Sequence, residues 1–304
     1  MTRIDRPVRP RRRRAGVLSS VTAATASAAL IAVSGCSSDG NSASPHSSSS
    51  SKRPAAKPAP AWRTAPASLA ALGDSITVGF DACTVLSDCP QVSWATGTDP
   101  KVDSLARRLV GNPATHSWNY ARTGALMADL PDQVAEAVVR KPELVTVLIG
   151  ANDACRGEVR AMTPKAVFRA QFETAVKKLR RSLPHTQVYV AAVPDLLRLW
   201  SEGRKNPLGK QVWKLGICGS MLRNPDDLTE KAAHRREKVR KRVMAYNAAL
   251  KDVCGKDPLC RFDGAVFDYR FTDRQLSTWD WFHPGTRGQR ELAALAFRTI
   301  TRKE

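Results

Sequence analysis

Ser68-Leu69-Ala70-Ala71-Leu72-Gly73-Asp74-Ser75-Ile76-Thr77 joins a short apolar run to a glycine turn and a serine. An apolar run of this length, bounded by turn formers, fits a strand buried on both faces. Ser75 then arrives at the strand's carboxyl end, where ligands bind in open α/β sheets. Residues 117–121, 144–149, 187–193 and a last run near 262–267 have the same character, and helical patterns alternate with them. The spacing predicts βαβ units, an α/β fold in which helices cover both faces of a central, mostly parallel five-stranded sheet: a three-layer α/β/α sandwich.

Helix punctuation supports this. Asp99-Pro100 predicts the start of a helix that stops near Gly111, and Thr163-Pro164 the start of another reaching about residue 183. A capping residue followed by proline in the first turn is a physical start signal. Residues 228–253 read as a long basic helix that places Ala232, Val239, Val243 and Leu250 on one face, with its Arg and Lys as a solvated face. Residues 287–301 read as a closing helix. Residues 66–304 suit one α/β domain.

The two segments that precede this body differ from it. Seven arginines precede residue 15, a mildly apolar run covers 15–33, and Val33-Ser34-Gly35-Cys36 follows. That is the order of an export signal, and the run is too rich in Ala, Ser and Thr for a good spanning helix. Residues 1–35 are expected to be a signal peptide ending at a segment that resembles a bacterial lipobox, with Cys36 lipidated. Ordinary cleavage and secretion is the alternative, and the export route, general or twin-arginine, stays open. Residues 36–65 read as a lipidated cysteine followed by a disordered tether of Ser, Pro, Ala and Lys. A flexible coil of that kind spans about 30 Å.

The formal net charge is +20. Loss of residues 1–35, with seven Arg and one Asp, leaves about +14. Export and the lack of a recognition motif argue against nucleic acid as the partner. Anionic lipid or cell-wall polymer fits a basic surface on an exported chain better, and a well-solvated surface with no specific partner is the alternative. Apart from Cys36, the cysteines are Cys83, Cys89, Cys155, Cys218, Cys254 and Cys260. An even set in an oxidising compartment predicts three disulfides. The two close pairs, Cys83 with Cys89 and Cys254 with Cys260, suit short loops and leave Cys155 with Cys218, although fifteen pairings are open. No cysteine or histidine cluster has zinc spacing, so no metal is expected.

Two other strand ends reach the same edge of the sheet as Ser75. Asn119-Tyr120-Ala121-Arg122-Thr123-Gly124 brings a glycine whose N–H a ligand can approach, and Gly150-Ala151-Asn152-Asp153 brings a neutral side-chain donor. With the N–H of Ser75 these make three donors suited to a developing oxyanion. After the last strand comes Asp280-Trp281-Phe282-His283-Pro284, whose spacing lets the carboxylate reach the imidazole. Serine needs such a base to act as a nucleophile. The other histidines, His46, His116, His185 and His234, lack a comparable acid in a strand-end loop.

Gly-Asp-Ser, the glycine of Arg-Thr-Gly, Gly-Ala-Asn-Asp and Asp-x-x-His, in this order, resemble the four blocks of SGNH/GDSL hydrolases, a flavodoxin-like fold. The resemblance implies Ser75 as nucleophile, Gly124 and Asn152 completing the oxyanion hole with Ser75, and Asp280 and His283 as catalytic partners. Ser93-Trp94-Ala95-Thr96-Gly97-Thr98-Asp99, the stretch 145–155 and the stretch 218–224 are similar to the phospholipase B-like branch. They imply a carboxylic ester hydrolase without cofactor, acting on acyl esters such as those of lipids or phospholipids, as a monomer. A deacetylase of cell-wall or other polysaccharide is the alternative within the same chemistry. A tethered binding protein that has lost activity is the alternative outside it. No GxSxG elbow is present to offer an α/β-hydrolase nucleophile.

Overall fold

A strand with no exposed position must be covered on both sides, and that is the state of the centre of this sheet. In the computed structural model, which describes residues 61–303, β1 (Leu69–Gly73), β3 (Leu144–Leu148) and β4 (Gln187–Ala191) are buried at every residue. β2 (Ser117–Asn119) and β5 (Cys260–Asp263) form the edges, and the order is β2-β1-β3-β4-β5 with every pairing parallel. The expected leader, Cys36 and nearly all of the expected tether lie outside the described residues.

The helices are α1 (Ser75–Val78), α2 (Leu105–Leu109), α3 (Pro113–His116), α4 (Leu130–Val138), α5 (Ala151–Ala154) and α6 (Lys165–Ser182) in the first part. After β4 come α7 (Leu196–Gly203), α8 (Pro207–Trp213), α9 (Gly219–Leu222), α10 (Glu230–Cys254), α11 (Ala265–Asp268) and α12 (Thr286–Thr301). One layer is α4, α6 and α10, packed side by side; the other contains α2 and α12. The five-stranded parallel sheet between two helical layers is the expected fold. Ala232, Val239, Val243 and Leu250 of α10 are all buried, as the periodicity predicts.

Three expectations need correction. The helix assigned to Asp99-Pro100 begins instead at Leu105, capped by Ser104, whose hydroxyl accepts from the Arg107 N–H. Asp103 has φ of 50°, which an α-helix does not tolerate, so residues 100–103 form turns. The last strand lies earlier than residues 262–267: Asp263 ends it, its carboxylate accepting from the Ala265 N–H, and α11 follows. The basic face of α10 is also not wholly solvated. Arg236 is buried, with its guanidinium 4.0 Å from the Trp200 ring centroid and bonded to the Asp227 and Asn224 carbonyls.

The chain leaves β1 for β2 on one side and returns to β3 on the other. That reversal opens a crevice at the carboxyl ends of β1 and β3, the usual ligand site of open α/β sheets. Gly73 pairs with Leu148 across it, so the turns that follow, bearing Ser75 and Asn152, are neighbours.

Candidate active site

Ser75 is the first residue of α1, and Asp74 caps that helix by accepting from the Ile76 N–H at 3.0 Å. Two contacts fix this turn. The side chain of buried Gln133 in α4 clasps Gly73, accepting from its N–H at 2.8 Å and donating to its carbonyl at 2.9 Å. A Cβ on Gly73 would meet the Leu148 carbonyl oxygen at 2.3 Å, so only glycine lets the two strand ends come this close. The motif stretch at Ser93–Asp99 braces the other side of α1: Ser93 Oγ donates to the Thr77 carbonyl at 2.6 Å, and the Trp94 indole N–H to Thr77 Oγ1 at 3.3 Å.

Ser75 Oγ is 3.0 Å from His283 Nε2, and His283 Nδ1 is 2.5 Å from Asp280 Oδ2. Asp280 is fully buried, and its other oxygen accepts from the N–H groups of Phe282 and His283 at 2.9 and 3.0 Å. The loop also has a buttress that the sequence alone does not reveal. Trp213 of α8 donates its indole N–H to the Asp280 carbonyl at 2.7 Å and meets Phe282 edge-on. A Cβ on Gly203 of α7 would come within 2.0 Å of the Trp281 carbonyl oxygen. Phe80 packs edge-on against the His283 ring at 5.2 Å.

The electrostatics follow from this packing. Burial pushes Asp280 up, but the charge and hydrogen bond of His283 and two backbone N–H groups outweigh it and hold the carboxyl below its ordinary value. Burial alone would lower His283; the Asp280 carboxylate, with Asp74 and Asp81 behind it, raises it instead. Asp74 is completely buried and is pushed up to about 7 by desolvation, against the Ile76 N–H and the charge of His283. Its Oδ2 has no hydrogen-bond partner.

Asn152, in α5, donates its amide nitrogen to the Ala125 carbonyl at 3.0 Å, which leaves the second N–H of that amide for a ligand. Gly124, next to Ala125, is exposed with φ of 82° and has open space where a side chain would stand. Asp153 is turned away: its carboxylate accepts from the Met127 N–H at 2.9 Å and from Thr163 Oγ1 at 2.7 Å, a structural clamp between loops. The disulfides are Cys83–Cys89, Cys155–Cys218 and Cys254–Cys260. An oxygen of Asp81, one of Asp280 and a ring nitrogen of His283 lie within 4.8 Å of one another. Asp280 and His283 already hold each other there, and no cation is assigned.

A model of the GDSL-like Lipase/Acylhydrolase family matches residues 71–291, a span that takes in every residue of this edge. The chain belongs to that family. It is accordingly a member of a carboxylic ester hydrolase family, with the serine, acid and base geometry that such chemistry requires. No curated protein matches the chain. Similar solved structures include an α/β hydrolase, LAE5, from the metagenome of Lake Arreo, Spain, at 19% identity over 78% of this chain and 95% of that one, with TM-score 0.48. A variant of Axe2, an acetyl xylan esterase from Geobacillus stearothermophilus, is similar at 16% identity over 78% and 95%, TM-score 0.48. The lipase Lip_vut3 from a goat rumen metagenome is similar at 13% identity over 75% and 94%, TM-score 0.48.

Proposed function

We propose that this GDSL-family chain hydrolyses carboxylic acyl esters through an acyl-enzyme on Ser75. The observation that carries the reading is the unbroken hydrogen-bonded path from Ser75 Oγ through His283 to buried Asp280. His283 takes the serine proton as Oγ attacks the ester carbonyl, and Asp280 steadies the imidazolium. The oxyanion is met by the N–H groups of Ser75 and Gly124 and the free N–H of Asn152. His283 then protonates the leaving alkoxide, and water, activated by the same imidazole, releases the acid.

Lipid or phospholipid esters are the proposed substrates. Three large apolar side chains that stay exposed, Val85 (50%), Leu86 (64%) and Trp279 (42%), lie on the two segments flanking the triad. Their backbones meet in one knot: the Leu86 N–H bonds the Asp81 carboxyl, the Trp279 N–H bonds Ser277 Oγ, and Ser277 Oγ donates to the Asp81 carbonyl. An apolar rim beside the nucleophile suits a long acyl chain, and the similarity of residues 93–99 to the phospholipase B-like branch points the same way. The chain is further proposed to be exported and held on the outer face of the membrane by a lipid on Cys36, an arrangement its three disulfides support.

The test is a panel of nitrophenyl esters from acetyl to palmitoyl, with phosphatidylcholine alongside and Ser75→Ala as the blank. Rates that rise with acyl length are expected, together with fluorophosphonate labelling of Ser75. Acetyl-only activity would replace the lipid reading with that of a polysaccharide deacetylase, and an unlabelled Ser75 would leave a binding protein. Incorporation of labelled palmitate, abolished by Cys36→Ser, checks the anchor.

A further inference from the structure

Asp81 is a second buried acid at the triad, and the ester chemistry above does not use it. It follows α1 in a left-handed conformation, φ 55°, and is 1% exposed. Its backbone is held on both sides: its N–H donates to the Ser87 carbonyl at 3.0 Å, and its carbonyl accepts from Ser277 Oγ at 2.6 Å. The Cys83–Cys89 disulfide closes the loop that begins two residues after Asp81, whose Ser87 carbonyl and Leu86 N–H are its partners. So much fixation aims one carboxyl at the Asp280–His283 pair.

Two ionised carboxylates in such a site repel, and a pair of this kind binds a proton that an isolated acid would lose. The partners are unequal. Asp280 has His283 Nδ1 on one oxygen and two backbone N–H groups on the other, all of which favour its charged form. Asp81 has the single N–H of Leu86. The proton therefore belongs on Asp81.

We propose that Asp81 is a positioning residue of the triad: it carries the proton of the Asp81–Asp280 pair, donates it to Asp280, and on losing it adds its own charge to the field that makes His283 basic. Burial first, and then the Asp280 charge, push Asp81 up to about 6 against the Leu86 N–H and the charge of His283. Asp280 and His283, from the triad loop, are the ionisable groups that act on it most. Asp74 acts on His283 from the β1 turn, α12 contributes the uncharged Thr286 hydroxyl on the Ala82 carbonyl, and Asp88 of the same loop bonds Thr123 instead. Asp81 can act in this way only if Asp280 and His283 act as proposed above.

Asp81→Asn keeps a neutral donor to Asp280 and an acceptor for Leu86 while removing the charge. His283 then becomes easier to deprotonate, so the acidic limb of kcat/KM is expected to move down by about half a pH unit, a threefold gain relative to the plateau on that limb. The thermal midpoint should not fall. An unmoved limb, with or without a change in thermal midpoint, would reduce Asp81 to a structural residue. A second measurement needs no turnover: the downfield proton resonance of the His283 ring, followed by NMR from pH 4 to 9 in the wild-type protein and in Asp81→Asn. Asp74 also acts on His283, so the expected result is a step present in the wild type and missing in the variant, and identical titration curves overturn the proposal. Because this resonance does not depend on hydrolysis, an inactive preparation would count against the ester reading while the paired titrations still decide the role of Asp81.

Discussion

Asn152 donates its side-chain N–H to the Ala125 carbonyl across 3.0 Å, binding the turn after β3 to the turn after β2. One amide hydrogen thus holds the group still, and the other is left for a ligand. Preorganised donors of this kind stabilise a charge that develops only in the transition state. Asn152→Ala is expected to lower kcat on a short-chain nitrophenyl ester by about two to three orders of magnitude, with little change in KM. A full rate in that variant would remove Asn152 from the oxyanion site.

The Cys155–Cys218 bridge closes a loop across a sequence separation of 63 and anchors the end of α5, one turn from Asn152, to α9. Loop entropy puts its contribution at roughly 4 kcal/mol, against about 2 kcal/mol for the short Cys83–Cys89 loop. Guanidinium unfolding of the Cys155→Ser/Cys218→Ser double variant should show the larger loss. Equal losses for the two bridges would mean that loop closure is not what the long one contributes.

Asp74 has its folded-state value raised to about 7 from an ordinary 3.8. The folded protein therefore binds this proton more tightly than the unfolded chain does. Its contribution is most favourable below about pH 4 and is lost as the pH rises to about 7. Asp74→Asn retains the acceptor for Ile76 and removes the buried charge. At pH 8 it is expected to be more stable by at most about 4 kcal/mol, with a flatter pH dependence between 4 and 7 that Asp81 still slopes. Urea midpoints across that range check both, and a less stable variant at pH 8 would show that the carboxylate is needed.

Gln133→Ala removes the partner of the Gly73 N–H, while the Gly73 carbonyl keeps the Arg122 N–H at 3.2 Å. A buried donor left unpaired costs about 1–3 kcal/mol, so a loss of about 2 kcal/mol in urea unfolding is expected, with a lower kcat as Ser75 shifts. A variant that loses rate but no stability would place the clamp in the chemistry rather than the fold.

Composition and pattern reveal those parts of the molecule that are local. β1, β3 and β4 announce themselves because strands buried on both faces need unbroken apolar runs, and Ser75 and Asn152 sit where the first two of those runs end. The end of β5 is hidden, because Val266 and Phe267 continue the apolar signal while Asp263, accepting from the Ala265 N–H, turns the chain into α11. α7 and α8 carry their signals, the Asp195 cap and the Asn206-Pro207 start, but they form an insertion outside the βαβ rhythm. Asp81, Trp213 and Gln133 leave no mark at all. Each acts through a contact between distant segments, and no spacing rule reports such a contact before the chain is folded.

The Cys155–Cys218 bridge also joins parts of the chain that are far apart in sequence. Between its ends lie α6, β4, α7 and α8, and His283 is made later still. A chain cut before Cys218 would carry Ser75 and Asn152 but neither the bridge nor His283. Ser75 and His283 are 208 positions apart, so their contact exists only once the sheet and the loop beyond it have closed on each other.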